Sequence, residues 1–121
     1  MKPGDVLLAP LPQSDGRLKD RPVLFLCPAP PYGDYLVCGI STQVHQAVVG
    51  LDQVIDTADQ DFVASGLKAA SVIRTAYLAL LPRTYFKGRI GSISPTRTKR
   101  VLDSLIAFVA RASEAALTDE R

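Results

Sequence analysis

The sequence predicts an α+β domain in which a strongly bent antiparallel sheet closes into a small barrel and is followed by one helix. Short apolar segments separated by proline- and glycine-rich turns indicate antiparallel strands. Near the end of the chain, apolar residues instead recur at three- and four-residue steps, which indicates a helix. The 121 residues suit a single domain, 1-121, and the 47% of apolar residues are enough to form a core.

The first half of the chain predicts three strands, over residues 6–9, 23–27 and 35–42. Pro10 and Pro12 end the first strand, because proline has no N–H to donate to a strand ladder. A polar loop with an Asp-Gly turn joins it to the second strand.

Alternation along the third strand predicts which side chains reach the second face of the sheet. Leu36, Cys38 and Ile40 occupy every second position and form the predicted core face. Ser41 therefore points to the other face, whereas Thr42 points inward. The glycine two residues before Ser41 removes bulk, so another backbone or a ligand can come close.

The second half predicts more irregular structure, followed by two further strands. Residues 48–49 and 54–55 are expected to form short strands, and 59–66 a helical turn or loop. Longer strands are predicted over 71–81 and 85–93, the latter bent at its glycines.

A helix of roughly twenty residues closes the chain. Ser94 is its predicted N-cap, and Pro95 occupies its first position. Its apolar stripe is expected to pack on the sheet or partly on a second subunit, and consists of Val101, Leu102, Leu105, Phe108, Val109 and Ala112.

The remaining composition argues for a cytoplasmic protein without metal or cofactor. No apolar run is long enough to cross a bilayer, and the first residues do not resemble a secretory signal. Cys27 and Cys38 are interpreted as buried free thiols. Together with the only histidine, His45, they cannot complete a tetrahedral zinc site.

Charge is unevenly distributed although the net charge is only +2. Residues 83–100 carry basic side chains and no acid, and residues 51–61 carry acids and no base. This asymmetry favours a polyanion bound to one face. The alternative is that the two segments lie together and neutralise each other.

Two residues on neighbouring predicted strands have the chemistry to hold a phosphate. Pro22 restricts Arg21 to extended geometry, so its guanidinium is held at the start of a strand and can bind phosphate oxygens in pairs. The hydroxyl of Ser41 can donate to the same phosphate. The alternatives are a surface Arg21 paired with Asp20 or Asp5, and an ordinary strand hydroxyl at Ser41.

Other candidates surround this pair. Arg74 is expected on the opposite side of its strand from Ile73 and Tyr77, either lining the same groove or solvated. His45 has no carboxylate spaced to orient it. The remaining candidates for contacts to a nucleic acid are Arg17 and Lys19 for the backbone, Thr42 and Gln43 beside the site, and Tyr32 or Tyr35 for stacking.

Absent motifs narrow the function further. The chain has no glycine-rich phosphate loop, no serine elbow, no His-Glu-x-x-His segment and no acidic cluster suited to a divalent metal. Nucleotide hydrolysis, redox chemistry and zinc proteolysis are therefore not expected.

Five segments in order resemble the MazF/PemK family of toxins from type II toxin–antitoxin systems. The resemblance runs from about residue 2 to 110. The segments are Lys2-Pro3-Gly4-Asp5-Val6, Arg21-Pro22-Val23-Leu24, Gly39-Ile40-Ser41-Thr42-Gln43, Ser65-Gly66-Leu67 with Ser71-Val72-Ile73-Arg74, and Arg89-Ile90-Gly91-Ser92-Ile93-Ser94.

The resemblance implies an SH3-like barrel that forms a homodimer, cleaves single-stranded RNA without metal or cofactor, and is silenced by a cognate antitoxin. It implies that the RNA 2′-hydroxyl attacks the adjacent phosphate, leaving a 2′,3′-cyclic phosphate and a 5′-hydroxyl. Arg21 and Ser41 stand at the family's catalytic positions. The rival interpretation is an inactive SH3-like barrel that binds nucleic acid or a protein partner.

The chain departs from the family pattern at three places. Ser41 stands where threonine is commoner, and Ala70 replaces an acid that often precedes the Ser-Val-Ile segment. The loop 13–20 contains no glutamate. These departures leave the cleavage sequence open.

Overall fold

The computed structural model describes residues 1–119 and contains one curled sheet of six antiparallel strands followed by a C-terminal helix. The predicted α+β class and the bent, SH3-like sheet are confirmed. The strands are β1 (Asp5–Pro12), β2 (Leu18–Ala29), β3 (Asp34–Ser41), β4 (Gln53–Ile55), β5 (Ser71–Leu81) and β6 (Gly88–Ser92). The α-helices are α1 (Phe62–Ser65) and α2 (Pro95–Asp119), and short 3-10 turns occupy Val44–Gln46 and Arg83–Tyr85.

The strand order is β4-β5-β3-β2-β1-β6, so β4 and β6 are the edges of a half-barrel. Register shifts interrupt three of the strand pairs, β1 with β6, β2 with β3 and β3 with β5. Such bulges bend a strand and increase its twist, which explains why the sheet curls instead of lying flat. Within residues 1–119, no helix is long and apolar enough to span a bilayer.

The two faces of the sheet carry separate apolar clusters. The first lies beneath α2 and is centred on Leu24, Cys38 and Ile73, all fully buried. The second lies on the opposite face around Val23 and Phe25, and partly buried side chains, three of them aromatic, pack against it. We call this second side the site face, because the residues considered below share it.

Close backbone contact joins α1 to the edge strand β6. A Cβ added to Gly91 would lie 2.2 Å from the carbonyl oxygen of Ala64, and one added to Gly66 would lie 2.2 Å from that of Ile90. Only glycine permits this approach at either position, so the backbone around α1 packs directly on that of β6.

The first strand is longer than predicted because its prolines lie where no donor is needed. Pro10 and Pro12 pair with β2, whereas the pairing of β1 with β6 ends at Leu8. Beyond Leu8 that side of β1 is a free edge, where proline costs no ladder hydrogen bond. Residues 13–17 form the predicted turn, with Gly16 at φ 83°.

Three local predictions are wrong. Val48 and Val49 form a turn instead of a strand, because the Asp52 carboxylate accepts a hydrogen bond from the Val48 N–H at 2.9 Å. Thr42 is exposed instead of inward, since β3 ends at Ser41 and the alternation stops there. Cys27 is exposed because it follows the register shift after Phe25.

The buried thiol is Cys38, and burial raises its pKa to about 12, so it is an inert packing group. Both cysteines are free among the residues described.

The helix begins as predicted and extends further. The Ser94 hydroxyl accepts a hydrogen bond from the Arg97 N–H at 3.1 Å, which confirms the N-cap. Leu102 and Leu105 pack on the core, but Val109 is 49% exposed and Ala112 is also exposed. Only the first part of the expected stripe therefore contacts the domain's own sheet.

Candidate functional site

The site face is defined by one continuous row of opposed residues across four strands. Leu7 of β1 is opposite Val23 of β2, Val23 is opposite Gly39 of β3, and Gly39 is opposite Arg74 of β5. Residues opposed in antiparallel strands share a face. The four positions therefore belong to the same side of the sheet.

Arg21 and Ser41 belong to the next row on this face. Arg21 is two residues before Val23 and pairs with Ala9 of β1, and Ser41 is two residues after Gly39 and pairs with Val72 of β5. The β2–β3 pairing ends at Val23 and Gly39, and its register, if continued, would bring Arg21 across from Ser41. Opposed Cα atoms in antiparallel strands lie about 5 Å apart.

Arg21 is exposed and forms no ion pair within the described part of the chain. Asp20 instead pairs with Lys87 at 3.0 Å, and Asp5 with Arg89 at 3.2 Å. Both acids that were considered as alternative partners of Arg21 are thus occupied elsewhere. The Arg21 guanidinium retains only a long hydrogen bond, 3.4 Å, to the side-chain oxygen of Gln13, so it is free to bind an anion.

Ser41 is the last residue of β3, and its side chain closes a short turn with the backbone that follows. Its Oγ accepts a hydrogen bond from the Gln43 N–H at 3.0 Å. A hydroxyl that accepts through its oxygen still has its proton to donate, and no residue among 1–119 accepts it. The turn therefore orients Ser41 without consuming its donor.

Arg74 is anchored more firmly than Arg21. It donates to the side-chain oxygen of Gln46 at 3.0 Å, lies 3.9 Å from the Asp52 carboxylate, and its side chain is only 16% exposed. Its guanidinium carbon lies 3.9 Å from the centroid of the Tyr77 ring. This contact contradicts the prediction that the two residues face opposite sides of β5.

The physical reason is a bulge in β5. Cys38 pairs with Leu78 while the next residue, Gly39, pairs with Arg74, so residues 75–77 have no partner on β3. The interruption breaks the two-residue alternation on which the prediction depended. Ile73 stays in the core, and Tyr77 emerges beside Arg74 with 63% exposure.

The remaining candidates lie around this centre. Lys19 shares the face of Arg21, since it is two residues earlier in β2, and Arg17 lies in the hairpin turn; both are exposed. Thr42 and Gln43 are exposed just beyond β3. Exposed His45 lies in the following 3-10 turn, and its side chain forms no hydrogen bond or ion pair within residues 1–119.

The two tyrosines considered for stacking differ in their surroundings. Tyr35 is packed between Phe25, at a centroid distance of 4.7 Å, and Phe86, at 5.4 Å. It is a partly buried ring that packs against the second apolar cluster. Tyr32 is 81% exposed, in the turn between β2 and β3.

Much of the basic segment 83–100 is neutralised. Arg97 is buried at the start of α2 and pairs with Asp59 at 3.1 Å and Asp61 at 2.8 Å, both from the acidic segment. Lys99 pairs with Asp103 at 2.6 Å within the helix. The alternative that acidic and basic segments neutralise each other therefore holds for Arg97, which is unavailable to a polyanion.

Sequence reasoning missed the residues that support the site: Gln13, Gln46, Asp52 and Tyr77. Gln13 contacts Arg21 across the β1–β2 hairpin, and Gln46 and Asp52 contact Arg74 from more distant parts of the chain; none of these contacts has a sequence signature. Gly39 was a partial signal for Tyr77, because a glycine within a strand indicates that another group comes close.

A family model described as PemK-like, MazF-like toxin of type II toxin-antitoxin system matches residues 2–109 of the chain. None of the curated proteins compared with the chain matches it.

Proposed function

Because the chain belongs to the family of PemK-like, MazF-like toxins of type II toxin–antitoxin systems, we propose that it cleaves single-stranded RNA, including mRNA, at short sequences without a metal ion. Membership supports a toxin endoribonuclease with an RNA substrate and an antitoxin partner. The observation that carries the finer proposal is the exposed Arg21 guanidinium, which has no ion pair among residues 1–119 and lies on the same face of the sheet as the Ser41 hydroxyl.

In the proposed reaction, the 2′-oxygen of the RNA attacks the adjacent phosphorus and the bond to the 5′-oxygen breaks. The products are a 2′,3′-cyclic phosphate and a 5′-hydroxyl. The 2′-oxygen loses one proton and the leaving 5′-oxygen gains one, so the step balances without a co-reactant. Charge grows on the non-bridging oxygens in the transition state, and donors aimed at that charge lower the barrier.

Arg21 is the principal electrostatic group in this proposal. Its guanidinium binds the non-bridging oxygens in pairs and stabilises the pentacovalent phosphorane. Ser41 donates one further hydrogen bond to the same phosphate. Threonine offers the same hydroxyl, so we expect Ser41→Thr to retain activity.

The other exposed cations contribute RNA affinity. Arg17 and Lys19 on the β1–β2 hairpin attract the backbone, and affinity should fall steeply with salt. In this proposal Thr42 and Gln43, which follow Ser41 in the chain, contact a base edge. Arg74 adds positive charge to the same face. Unstacked single strands suit such an open face, because their bases are accessible.

We further propose a cytoplasmic homodimer silenced by its cognate antitoxin. Exposed apolar side chains on α2, such as Ile106 at 68% and Leu117 at 70%, provide surface for a second copy. Sedimentation equilibrium should report twice the monomer mass, and Ile106→Glu should lower it. A monomeric wild-type chain at micromolar concentration would contradict the dimer.

The direct test of cleavage uses long single-stranded RNA incubated with the protein in EDTA. We expect fragments with 5′-hydroxyl ends that accept phosphate from a kinase without prior dephosphorylation. Arg21→Ala should abolish them. Arg83→Ala is the matched control, because Arg83 is likewise exposed but lies in the 3-10 turn before β6.

The rival function is an inactive barrel module that binds nucleic acid or a protein partner. RNA that stays intact across varied sequences, while purified protein is folded and free of antitoxin, would favour that rival. Cleavage that requires added Mg²⁺ would contradict the metal-independent mechanism.

A further inference from the structure

Tyr77 is an aromatic ring left outside the core by the bulge in β5. Its 63% exposure contrasts with the fully buried Ile73 four residues earlier on the same strand. Bulges commonly re-aim a side chain next to a functional site. The exposed ring of Tyr77 is therefore a candidate for a contact with a ligand.

The ring lies on the site face. A Cβ added to Gly39 would be 3.6 Å from the Cβ of Tyr77, so the tyrosine leaves its strand on the side to which Gly39 would point. Gly39 is two residues before Ser41 and opposite Val23. Tyr77 thus adjoins the row of Val23, Gly39 and Arg74, which is next to the row that holds Arg21 and Ser41.

One face of the ring is already occupied and fixed. The Arg74 guanidinium lies 3.9 Å from its centroid, and Arg74 is itself held by Gln46 at 3.0 Å. A cation over an aromatic face orients the ring. The large exposed area of Tyr77 must then belong to its edge and second face, which are open to solvent.

We propose that the open face of Tyr77 stacks one base of the single-stranded RNA, on the same face of the sheet as the phosphate held by Arg21 and Ser41 but beyond the row of Gly39 and Arg74. This inference rests on the proposed function. A flat ring next to a positively charged groove is the arrangement by which proteins hold unstacked bases. Stacking tolerates any base, so Tyr77 would fix the position of the strand while other groups read its sequence.

A fluorescence experiment tests this placement directly. The chain contains no tryptophan, so Tyr77→Trp introduces a single reporter at the proposed platform. The probe is a single-stranded RNA with 2′-O-methyl groups throughout, which lacks the attacking hydroxyl and stays intact. We expect quenching of the tryptophan emission as RNA is added.

Tyr32→Trp is the matched control, since Tyr32 is 81% exposed but lies in the β2–β3 turn. Its emission should stay nearly constant over the same titration. Unchanged emission from Tyr77→Trp while filter binding shows that the RNA is bound would overturn the inference. Equal quenching in both variants would also overturn it.

Binding of the uncleavable RNA provides the second measurement. Tyr77→Ala should weaken it about tenfold, whereas Tyr77→Phe keeps the ring and the affinity. The thermal midpoint should change little because the side chain is exposed. Unchanged affinity in Tyr77→Ala would contradict stacking.

Failure of this inference is distinguishable from failure of the proposed function. Arg21→Ala should lose cleavage yet retain the quenching in the Tyr77→Trp background. If the wild-type protein cuts RNA, and Tyr77→Ala cuts and binds RNA equally well, the stacking proposal is wrong but the proposed function stands. Wild-type protein that neither binds nor cuts RNA would overturn both.

Discussion

Arg97 binds Asp61 through two parallel hydrogen bonds, from Nε to Oδ2 at 2.8 Å and from Nη2 to Oδ1 at 3.1 Å. Oδ2 also accepts from the Ser94 N–H at 3.0 Å, just before α2 begins. Arg97 donates further to the Val54 carbonyl at 2.8 Å. This one pair therefore joins β4, the residue that precedes α1, and the start of α2.

Breaking this pair should destabilise the fold. Both side chains are about nine-tenths buried, at 11% and 10% exposure. Asp61→Asn leaves the Arg97 charge without its main partner, and we expect a loss of about 2 kcal/mol in urea unfolding. Asp59→Asn is the control, because Asp59 is 39% exposed, and should cost below about 1 kcal/mol. Equal losses would contradict the assigned difference.

The same pair predicts an acid-sensitive stability. The hydrogen bonds from Arg97 lower the pKa of Asp61 from 3.8 to about 2 despite partial burial. A carboxyl with a lowered folded-state pKa stabilises the fold above its unfolded pKa and loses that contribution as pH falls. Wild type should lose about 2 kcal/mol more than Asp61→Asn between pH 5 and pH 2. Parallel pH profiles for the two proteins would contradict this.

Alanine substitutions at Gly91 and Gly39 should differ in their effect on stability, because Gly91 lies in the contact between α1 and β6 whereas Gly39 lies on the site face. Gly91→Ala places a Cβ 2.2 Å from the Ala64 carbonyl oxygen and should cost about 3 kcal/mol or more. A Cβ added to Gly39 would lie 3.6 Å from its nearest neighbour, an ordinary contact. The free energy of unfolding of Gly39→Ala should therefore lie within about 1 kcal/mol of wild type. A Gly91→Ala protein with unchanged stability would contradict the packing of α1 on β6.

Gln13 should position Arg21 without taking part in the chemistry. Its single hydrogen bond of 3.4 Å is long, so Gln13→Ala should lower the cleavage rate about 2- to 10-fold and leave stability unchanged. The single-turnover rate on one RNA is the measurement, and Gln13→Glu, with a stronger partner for Arg21, provides the comparison. A loss of about 1000-fold would place Gln13 in the reaction itself.

The sequence was sufficient where periodicity and terminal signals act locally. The apolar alternation of β3 and the Ser94-Pro95 start of α2 are confirmed because each depends on neighbouring residues. β5 has its predicted bounds, but the bulge at residues 75–77 depends on pairing with β3, so the side on which Tyr77 emerges could not be predicted.

The sequence predicted which residues form the centre of the candidate site, but not which other residues contact them. Arg21 and Ser41 were identified as a pair on neighbouring strands, and their assignment as catalytic stays a prediction. The contact that holds Arg74 joins distant parts of the chain, because Gln46 lies 28 residues away in sequence. No pattern along the chain indicates such contacts, whereas the register of the sheet makes them visible.

A double-mutant cycle on cleavage tests most directly whether Arg21 and Ser41 hold one phosphate. We expect rate losses of about 1000-fold for Arg21→Ala and about 100-fold for Ser41→Ala. Groups that act on the same phosphate are coupled, so the double variant should be little worse than Arg21→Ala alone. A double variant slowed by the full product, about 100,000-fold, would contradict a shared phosphate.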